Sequence, residues 1–320
     1  MMELVAYAAF FLTVAMTYAI ICLGLNVQWG QTGLFNVGVA GFVGMGAYVS
    51  GALTTPETID RIGGFDLPIL AGWAVAMAAG AVLSLAVGLL TLRMRADYLA
   101  ITTFGIAVAL QLVFQNAESL TGGAFGMAFI PRPFASVQGE AILFNLANLG
   151  VTCAVVLVLY LLLEHLARSP WGRALRAVRE DELAAQALGK NPVFLRLQAF
   201  ALGGAIMALA GAVQAHFIGF IAPNNYLPMM TFQVWAMLIV GGSGNNRGAI
   251  LGAVLVWAIW ALSGALISEL FPADQQARAA SLQIVIIGVM LCIILLWRPQ
   301  GILPEIRSVS RHLGRRNKDQ

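Results

Sequence analysis

Nine apolar runs, most of them too long for the core of a soluble domain, dominate this chain. They fall near residues 4–25, 33–53, 67–92, 98–115, 146–163, 197–218, 229–240, 248–267 and 281–297. A helix needs about 20 consecutive apolar residues to cross the hydrocarbon layer of a bilayer, and most of these windows are long enough. Hydrophobic residues make up 60% of the 320 residues and charged residues only 10%, against roughly 25% charged in a soluble domain. Too little polar surface remains to cover a water-soluble body of this size. A soluble enzyme, a nucleic-acid-binding domain and a disordered chain are thereby excluded. The runs are continuous rather than alternating, so helices are predicted and a membrane barrel is not. The expected fold is an all-α integral membrane protein, a polytopic bundle of about 8–10 transmembrane or re-entrant helices. Window 229–240 is too short to span alone. It either continues into the glycine-rich stretch that follows or forms a half-helix that turns back inside protein.

Orientation follows from where lysine and arginine collect. Arg93 and Arg95 lie between two windows. Arg168, Arg173, Arg176, Arg179, Lys190 and Arg196 lie in the loop 164–196. Arg298, Arg307, Arg311, Arg315, Arg316 and Lys318 lie in the tail. These fourteen of the eighteen basic residues mark three cytoplasmic segments. The loops 54–66, 116–145, 219–228 and 268–280 hold only Arg61, Arg132 and Arg278 and are expected outside. Counting back puts the N-terminus outside. The start, Met1-Met2-Glu3, lacks a positive leader, so residues 4–25 read as a retained first span rather than a cleaved signal. The organisation expected is a transmembrane domain over 1–297, with a cytoplasmic loop at 164–196, and a basic cytoplasmic tail over 298–320.

Four stretches stand out against the apolar background. The block 30–48 carries Gly33, Gly38, Gly41, Gly44 and Gly46, together with Asn36, Val39 and Tyr48. Small residues let helix backbones approach closely, and they permit a broken helix that exposes backbone groups to a cavity. Each glycine alone reads as packing; the block as a whole reads as the lining of a path through the membrane. Thr121, Gly122, Gly123 and Gly126 follow a run that ends in Gln111, Gln115, Asn116 and Glu118. They form either an external mouth or an interfacial turn. In the loop 164–196, Ser169 and Pro170 form a helix start, and Gly189 with Lys190 a stop. Leu175, Val178, Leu183, Ala187 and Leu188 make a loose apolar stripe between them. The acidic trio Glu180, Asp181 and Glu182 suits an anionic inner leaflet poorly, so a docking protein is the expected partner. Finally, Gly241, Gly242, Gly244 and Gly248 surround Ser243, Asn245, Asn246 and Arg247. With no GK[ST] ending and no preceding strand, this is a tight turn rather than a phosphate loop.

Covalent chemistry finds no support. His165, His216 and His312 form no HExxH pattern, and Glu118 and Glu140 do not pair within a span. Cys22, Cys153 and Cys292 each sit in an apolar run without metal-binding spacing. No acidic residues run through the centre of the spans, as a proton relay would require.

The motifs in order resemble the M-type (LivM-like) membrane subunit of branched-chain amino acid ABC importers. The likeness runs through residues 25–36, Gly44–Tyr48, the segment from Arg95 to Thr103, Thr121–Gly123, the segment from Ser169 to Glu182, and Gly241–Gly244. It covers nearly the whole chain. The resemblance implies a multi-pass subunit of a bacterial inner membrane, surrounded by lipid and binding no nucleic acid. It implies a second, related permease chain, two ATPase chains that bind ATP and Mg²⁺, and a periplasmic substrate-binding protein. No cofactor, metal site or catalytic residue is expected in this chain. Glu180–Gly189 would be the coupling segment, centred on Ala184, Ala185 and Gly189 and flanked by Arg173, Arg176 and Arg179. The solute would be a branched-chain or other neutral amino acid; the permeases for urea and short amides share much of the pattern. Where many relatives carry histidine, this chain has Val39. A secondary transporter or channel is the reading from another class.

Overall fold

The computed structural model describes residues 2–57, 62–91, 94, 96–270, 272, 276–298 and 300–305. Arg61, Arg93, Arg95, His312 and the tail residues Arg307, Arg311, Arg315, Arg316 and Lys318 lie outside the described residues. The long elements are α1 (Met2–Gln28), α2 (Val39–Thr54), α3 (Ile69–Thr91), α4 (Ala96–Asn116), α6 (Ala141–Arg168), α9 (Pro192–Ile218), α10 (Pro228–Gly241), α11 (Asn246–Leu270) and α12 (Gln276–Trp297). Short helices intervene: α5 (Glu118–Thr121), α7 (Pro170–Glu180) and α8 (Glu182–Ala187). Among the described residues no strand occurs, only one antiparallel bridge between Met127 and Ile221. Six of the described helices are long and apolar enough to cross a membrane: α1, α3, α4, α6, α9 and α11.

Helices α2 and α10 are different. At 16 and 14 residues they reach roughly 24 Å and 21 Å, short of the ~30 Å hydrocarbon layer. Each is preceded by chain that is not α-helical: residues 29–38 before α2, and residues 219–227, with a single 3-10 turn at Pro223–Tyr226, before α10. Such chain survives at membrane depth only when protein satisfies its backbone groups. Here it does. The Val37 amide donates to Thr103 Oγ1 at 3.0 Å, the Asn36 carbonyl accepts from Trp235 Nε1 at 2.9 Å, and the Ala40 amide donates to Thr231 Oγ1 at 3.1 Å. Before α10, Ile221 and Met127 exchange both backbone bonds, at 2.8 and 2.9 Å. Of the two forms open to window 229–240, the structure has a short helix ending in a tight turn.

Helix α9 is the axis. It packs against α1, α2 and α3, and small residues set how close they come. A Cβ added at Gly203 would lie 2.6 Å from the Gly24 carbonyl, at Gly204 3.2 Å from that of Gly80, and at Gly211 1.9 Å from that of Val43. Lipid tails are as apolar as leucine, so close backbone packing takes over the role that hydrophobic burial plays in water. The outer faces of α3, α4, α6 and α11 stay uncovered, with Leu90, Ile101, Val158 and Leu262 all exposed.

The ends of the bundle are distinct. At one end the α1–α2 junction, α7, the α10–α11 turn and residues 300–305 meet one another. At the other, the Ile62 amide donates to the Ser119 carbonyl at 2.6 Å, and Arg132 donates to the Ile218 carbonyl. Ala6, near the start of α1, lies at that second end, its carbonyl bonded to Asn145 at 3.0 Å.

Candidate functional site

Two polar constructions occupy the end that carries the basic loop. The first is the α1–α2 junction. Gln28 and Asn36 are fully buried and bridge it: Asn36 Nδ2 donates to Gln28 Oε1 at 2.7 Å, and Gln28 Nε2 donates to the Phe200 carbonyl of α9 at 2.9 Å. Asn36 Oδ1 accepts from the Gly38 amide at 2.7 Å, which starts α2. Every polar atom of the Asn36 side chain thus has a partner, so the residue holds the broken helix in place. Replacing it with leucine strands Gln28 Oε1 and the Gly38 amide. At about 1–3 kcal/mol for each orphaned buried group, Asn36→Leu should destabilise the subunit by about 3 kcal/mol, read as a lowered thermal midpoint of the detergent-purified protein.

The second construction is the basic loop 164–196. Ser169 caps α7 by accepting from the Gly172 amide at 3.4 Å, with Pro170 at the first helical position. The helix does not run on to Gly189 as its sequence suggests. It ends at Glu180, where Asp181 turns extended (φ −149°, ψ 104°) and its Oδ1 caps α8 by accepting from the Ala184 amide at 2.9 Å. Gly189, at φ +74°, then closes the segment. The break splits the expected apolar stripe. Leu175 and Val178 are buried, whereas Leu183 and Leu188 point out, 77% and 80% exposed. Ala184 is exposed beside them, Ala185 is buried, and no atom lies within 4 Å of a Cβ built on Gly189.

The charges of the loop face inward more than a docking role alone predicts. Glu182 pairs with Arg196 on α9 at 2.8 Å, and Trp171 donates to Gln198 at 2.9 Å. Arg179 donates to the Gly30 carbonyl and to Glu305 Oε2, the latter at 2.8 Å. One guanidinium therefore joins the loop, the helix break and the last described segment. Arg173 donates to the Arg168 carbonyl at 2.9 Å, Arg176 faces a cavity, and the side chain of Glu180 is exposed.

The other sequence candidates fall in place as packing. Gly38 abuts the Thr103 carbonyl, Gly41 touches Ala107, Gly44 lies against Phe114 and Tyr226, and Gly46 touches the backbone of Ala208. Val39 is fully buried, and Tyr48 stacks on Phe114 with ring centroids 4.6 Å apart. In this structure all of them meet neighbouring helices rather than open space. Of the two readings of residues 121–126, the geometry is that of a turn. Thr121 Oγ1 contacts the Phe114 carbonyl at 2.7 Å and accepts from the Gly123 amide at 3.2 Å, while Gly122 closes α5 and Gly126 lies against the Ile221 carbonyl. Phe125 and Phe129, which sequence reasoning passed over, stand 90% and 88% exposed beside it. The turn after α10 is tied down as well. Gly241 abuts Gly248, Gly242 abuts Leu303, and the Gly244 amide donates to Asn26 Oδ1 at 2.8 Å. Ile302 and Leu303 donate to the carbonyls of Val240 and Gly241, so residues 300–305 are docked chain. His216 joins α9 to α2 and the loop that holds Pro131: Nδ1 donates to the Pro131 carbonyl at 2.7 Å, which leaves Nε2 to accept from Ser50 at 2.9 Å.

The family of permease components of branched-chain amino acid transport systems matches residues 7–295. The chain belongs to this family. It is similar to the high-affinity branched-chain amino acid permease protein LivM of Salmonella typhimurium, 32% identical over 92% of this chain and 69% of that protein. It is also similar to the probable LivM protein of Methanocaldococcus jannaschii, 28% identical over 90% of each chain. The LivH permease protein of Escherichia coli is 27% identical over 93% of this chain and 95% of its own length. No solved structure matches significantly. The permease is thus a multi-pass membrane protein and a transport component, as its helices and its relatives agree.

Proposed function

We propose that this permease is one of two related, non-identical membrane subunits of an ABC importer that carries branched-chain amino acids across the cytoplasmic membrane. Its relatives bear that substrate in their names, and they come as both M-type and H-type proteins. Two ATPase chains would hold ATP and Mg²⁺, and an external binding protein would deliver the solute; this chain performs no covalent step.

The observation that carries the reading is α8. It presents Leu183, Ala184 and Leu188 to solvent at the tip of a segment pinned to the bundle by Glu182–Arg196, Trp171–Gln198 and Arg179–Gly30. A groove on an ATPase that seats this tip would move α7, and Arg179 would pass that movement to the break between α1 and α2. Two short crossings with extended leads supply places where helices can shift against each other. We place the second permease chain against helix α4, and two open polar side chains support this. Gln115 and Thr102 stand open or half-open on it, and polar groups do not face lipid without cost. A neutral polar path between the two chains suits a zwitterion, whose charges cancel.

The test is purification of the tagged chain in mild detergent from its native membrane, with mass spectrometry of what accompanies it. An ATPase with a phosphate-binding loop and a second permease in comparable amounts are expected, and the binding protein of the system should take L-leucine in preference to urea. A chain that emerges alone and moves solute into vesicles without ATP would overturn the proposal.

A further inference from the structure

The last carbonyls of a helix have no partner within it. At the end of α10 their partners come from far along the chain. Ile302 and Leu303 donate to the carbonyls of Val240 and Gly241 at 2.9 and 3.0 Å. Asn245 Nδ2, in the turn before α11, donates to the Pro304 carbonyl at 3.1 Å. Gly301 lies backbone to backbone with Gly242, where a Cβ would collide with the Gly242 Cα. Residues 300–305 are thus a strap tied to the end of α10. The tip of the strap reaches α7: Glu305 Oε2 accepts from Arg179 Nη2 at 2.8 Å. The other arm of the same guanidinium, Nη1, donates to the Gly30 carbonyl just past the end of α1. Asn26 joins these two ends, accepting from the Gly244 amide at 2.8 Å and donating to Asn246 at 2.9 Å. The ends of α1 and α10 therefore form one block, and Arg179 grips it at two points.

Two points differ from one mechanically. A helix held at one point can swivel about it; held at two, it must turn together with what it holds. The second point is the more easily undone. Backbone bonds fasten the strap to α10, whereas a single ion pair, its Arg179 and Glu305 side chains 23% and 25% exposed, fastens it to α7. A second carboxylate stands close to the same arginine: Glu180 Oε1 lies 3.9 Å from Nη2. Glu180 belongs to α7, so a guanidinium that turned to it would release the strap. We propose that residues 300–305 are a transmission strap and that Glu305 is a positioning residue for transport. Through Arg179 it makes the end of α10 turn with α7, so that the α1–α2 break and the α10–α11 turn shift together. Without it, part of the movement of α7 is lost as swivel about Gly30. Coupling between distant sites is carried by such bonded groups when they have two discrete arrangements. That partner ATPases drive α7 rests on the function proposed above; the linkage of α7 to α10 does not.

The experiment uses the complete transporter in vesicles, with ATP enclosed and the binding protein and L-leucine outside. Uptake and phosphate release are measured on the same sample, and their ratio is compared between variants, so that differences in recovery and in rate of hydrolysis cancel. Glu305→Gln keeps the shape of the side chain and the backbone bonds of the strap but removes the charge. It should lower the leucine carried per ATP about fivefold. Glu305→Asp, which keeps the charge, should retain most of the ratio. Arg179→Gln should lower it at least as far as Glu305→Gln, and combining the two should lower it no further, because one residue acts through the other. An unchanged ratio in Glu305→Gln overturns the inference, even if its thermal midpoint falls, as does an additive loss in the double variant. A second arm needs neither ATP nor solute. Spin labels are placed at Ala177→Cys on α7 and Arg247→Cys on α11, both exposed positions. The detergent-purified full chain is used, with Cys153 and Cys292 replaced by alanine and Cys22 left buried. The distribution of distances between the labels should broaden in Glu305→Gln. An identical distribution overturns the strap, whatever solute is carried. Solute uptake without ATP by the unaltered protein, with the broadening present, would overturn the importer reading and leave the strap standing.

Discussion

Gly46→Ala is expected to destabilise the permease by on the order of 3 kcal/mol, while Gly150→Ala should leave it as stable or slightly more so. Both changes add one methyl group to a helix. At Gly46 the new Cβ would sit 1.9 Å from the carbonyl oxygen of Ala208 and 2.5 Å from its Cα. Those are backbone atoms of α9, with no flexible side chain to swing aside, so α2 and α9 must separate. The same pair of helices meets again where Gly211 approaches the Val43 carbonyl, and separation at one point loosens the other. At Gly150 nothing lies within 4 Å of the added atom, and alanine in an exposed helix position gains about 0.5–1 kcal/mol over glycine. Thermal unfolding of the two detergent-purified variants decides the matter. Equal midpoints would mean that the α2–α9 contact does not set the stability of the bundle.

This contrast also marks what the sequence could and could not tell. The apolar windows were legible because hydrophobic length alone dictates spanning helices, and most of them recur as α1, α3, α4, α6, α9 and α11. The basic loop was legible in its start, since Ser169 and Pro170 act locally on the first turn of α7. Its interior was not. Asp181 can continue a helix or cap a new one, and the pattern does not say which; in the fold it caps α8 beside the pair of Glu182 with Arg196, fourteen residues away. The glycine block was legible as a place of close approach. What the glycines approach was not, because it is set by α9, some 160 residues further along the chain. The same holds for Asn36: a lone polar residue in an apolar run needs a partner, but only the fold shows that Gln28 of the preceding helix supplies it. Glu305 carried no signal by itself, and it acquires meaning only where the docked segment 300–305 brings it to Arg179.

Leu183→Asp combined with Leu188→Asp should abolish ATPase association and ATP-driven uptake while the permease itself remains folded. Leu183 projects from α8 and Leu188 from the residue that ends it, 77% and 80% exposed, so no contact within the bundle is lost. The neighbouring charges are already engaged: Glu182 with Arg196, and Arg179 with Gly30 and Glu305. The leucines, with the small residues Ala184 and Gly189, are the apolar surface that remains for a partner. Burying a leucine contributes roughly 1.5–3 kcal/mol, and two of them 3–6 kcal/mol. Loss of both weakens association by about a hundredfold to ten-thousandfold at 1.4 kcal/mol per decade, before the cost of forcing two carboxylates into an apolar groove is added. The measurement is co-purification of ATPase with the double variant, alongside its thermal midpoint. A fall in ATPase recovery with an unchanged midpoint places the coupling surface on α8. Undiminished recovery and uptake would move it elsewhere. In that case the charges of α7 that stay open to solvent, Arg173 and Glu180, become the surface to alter next.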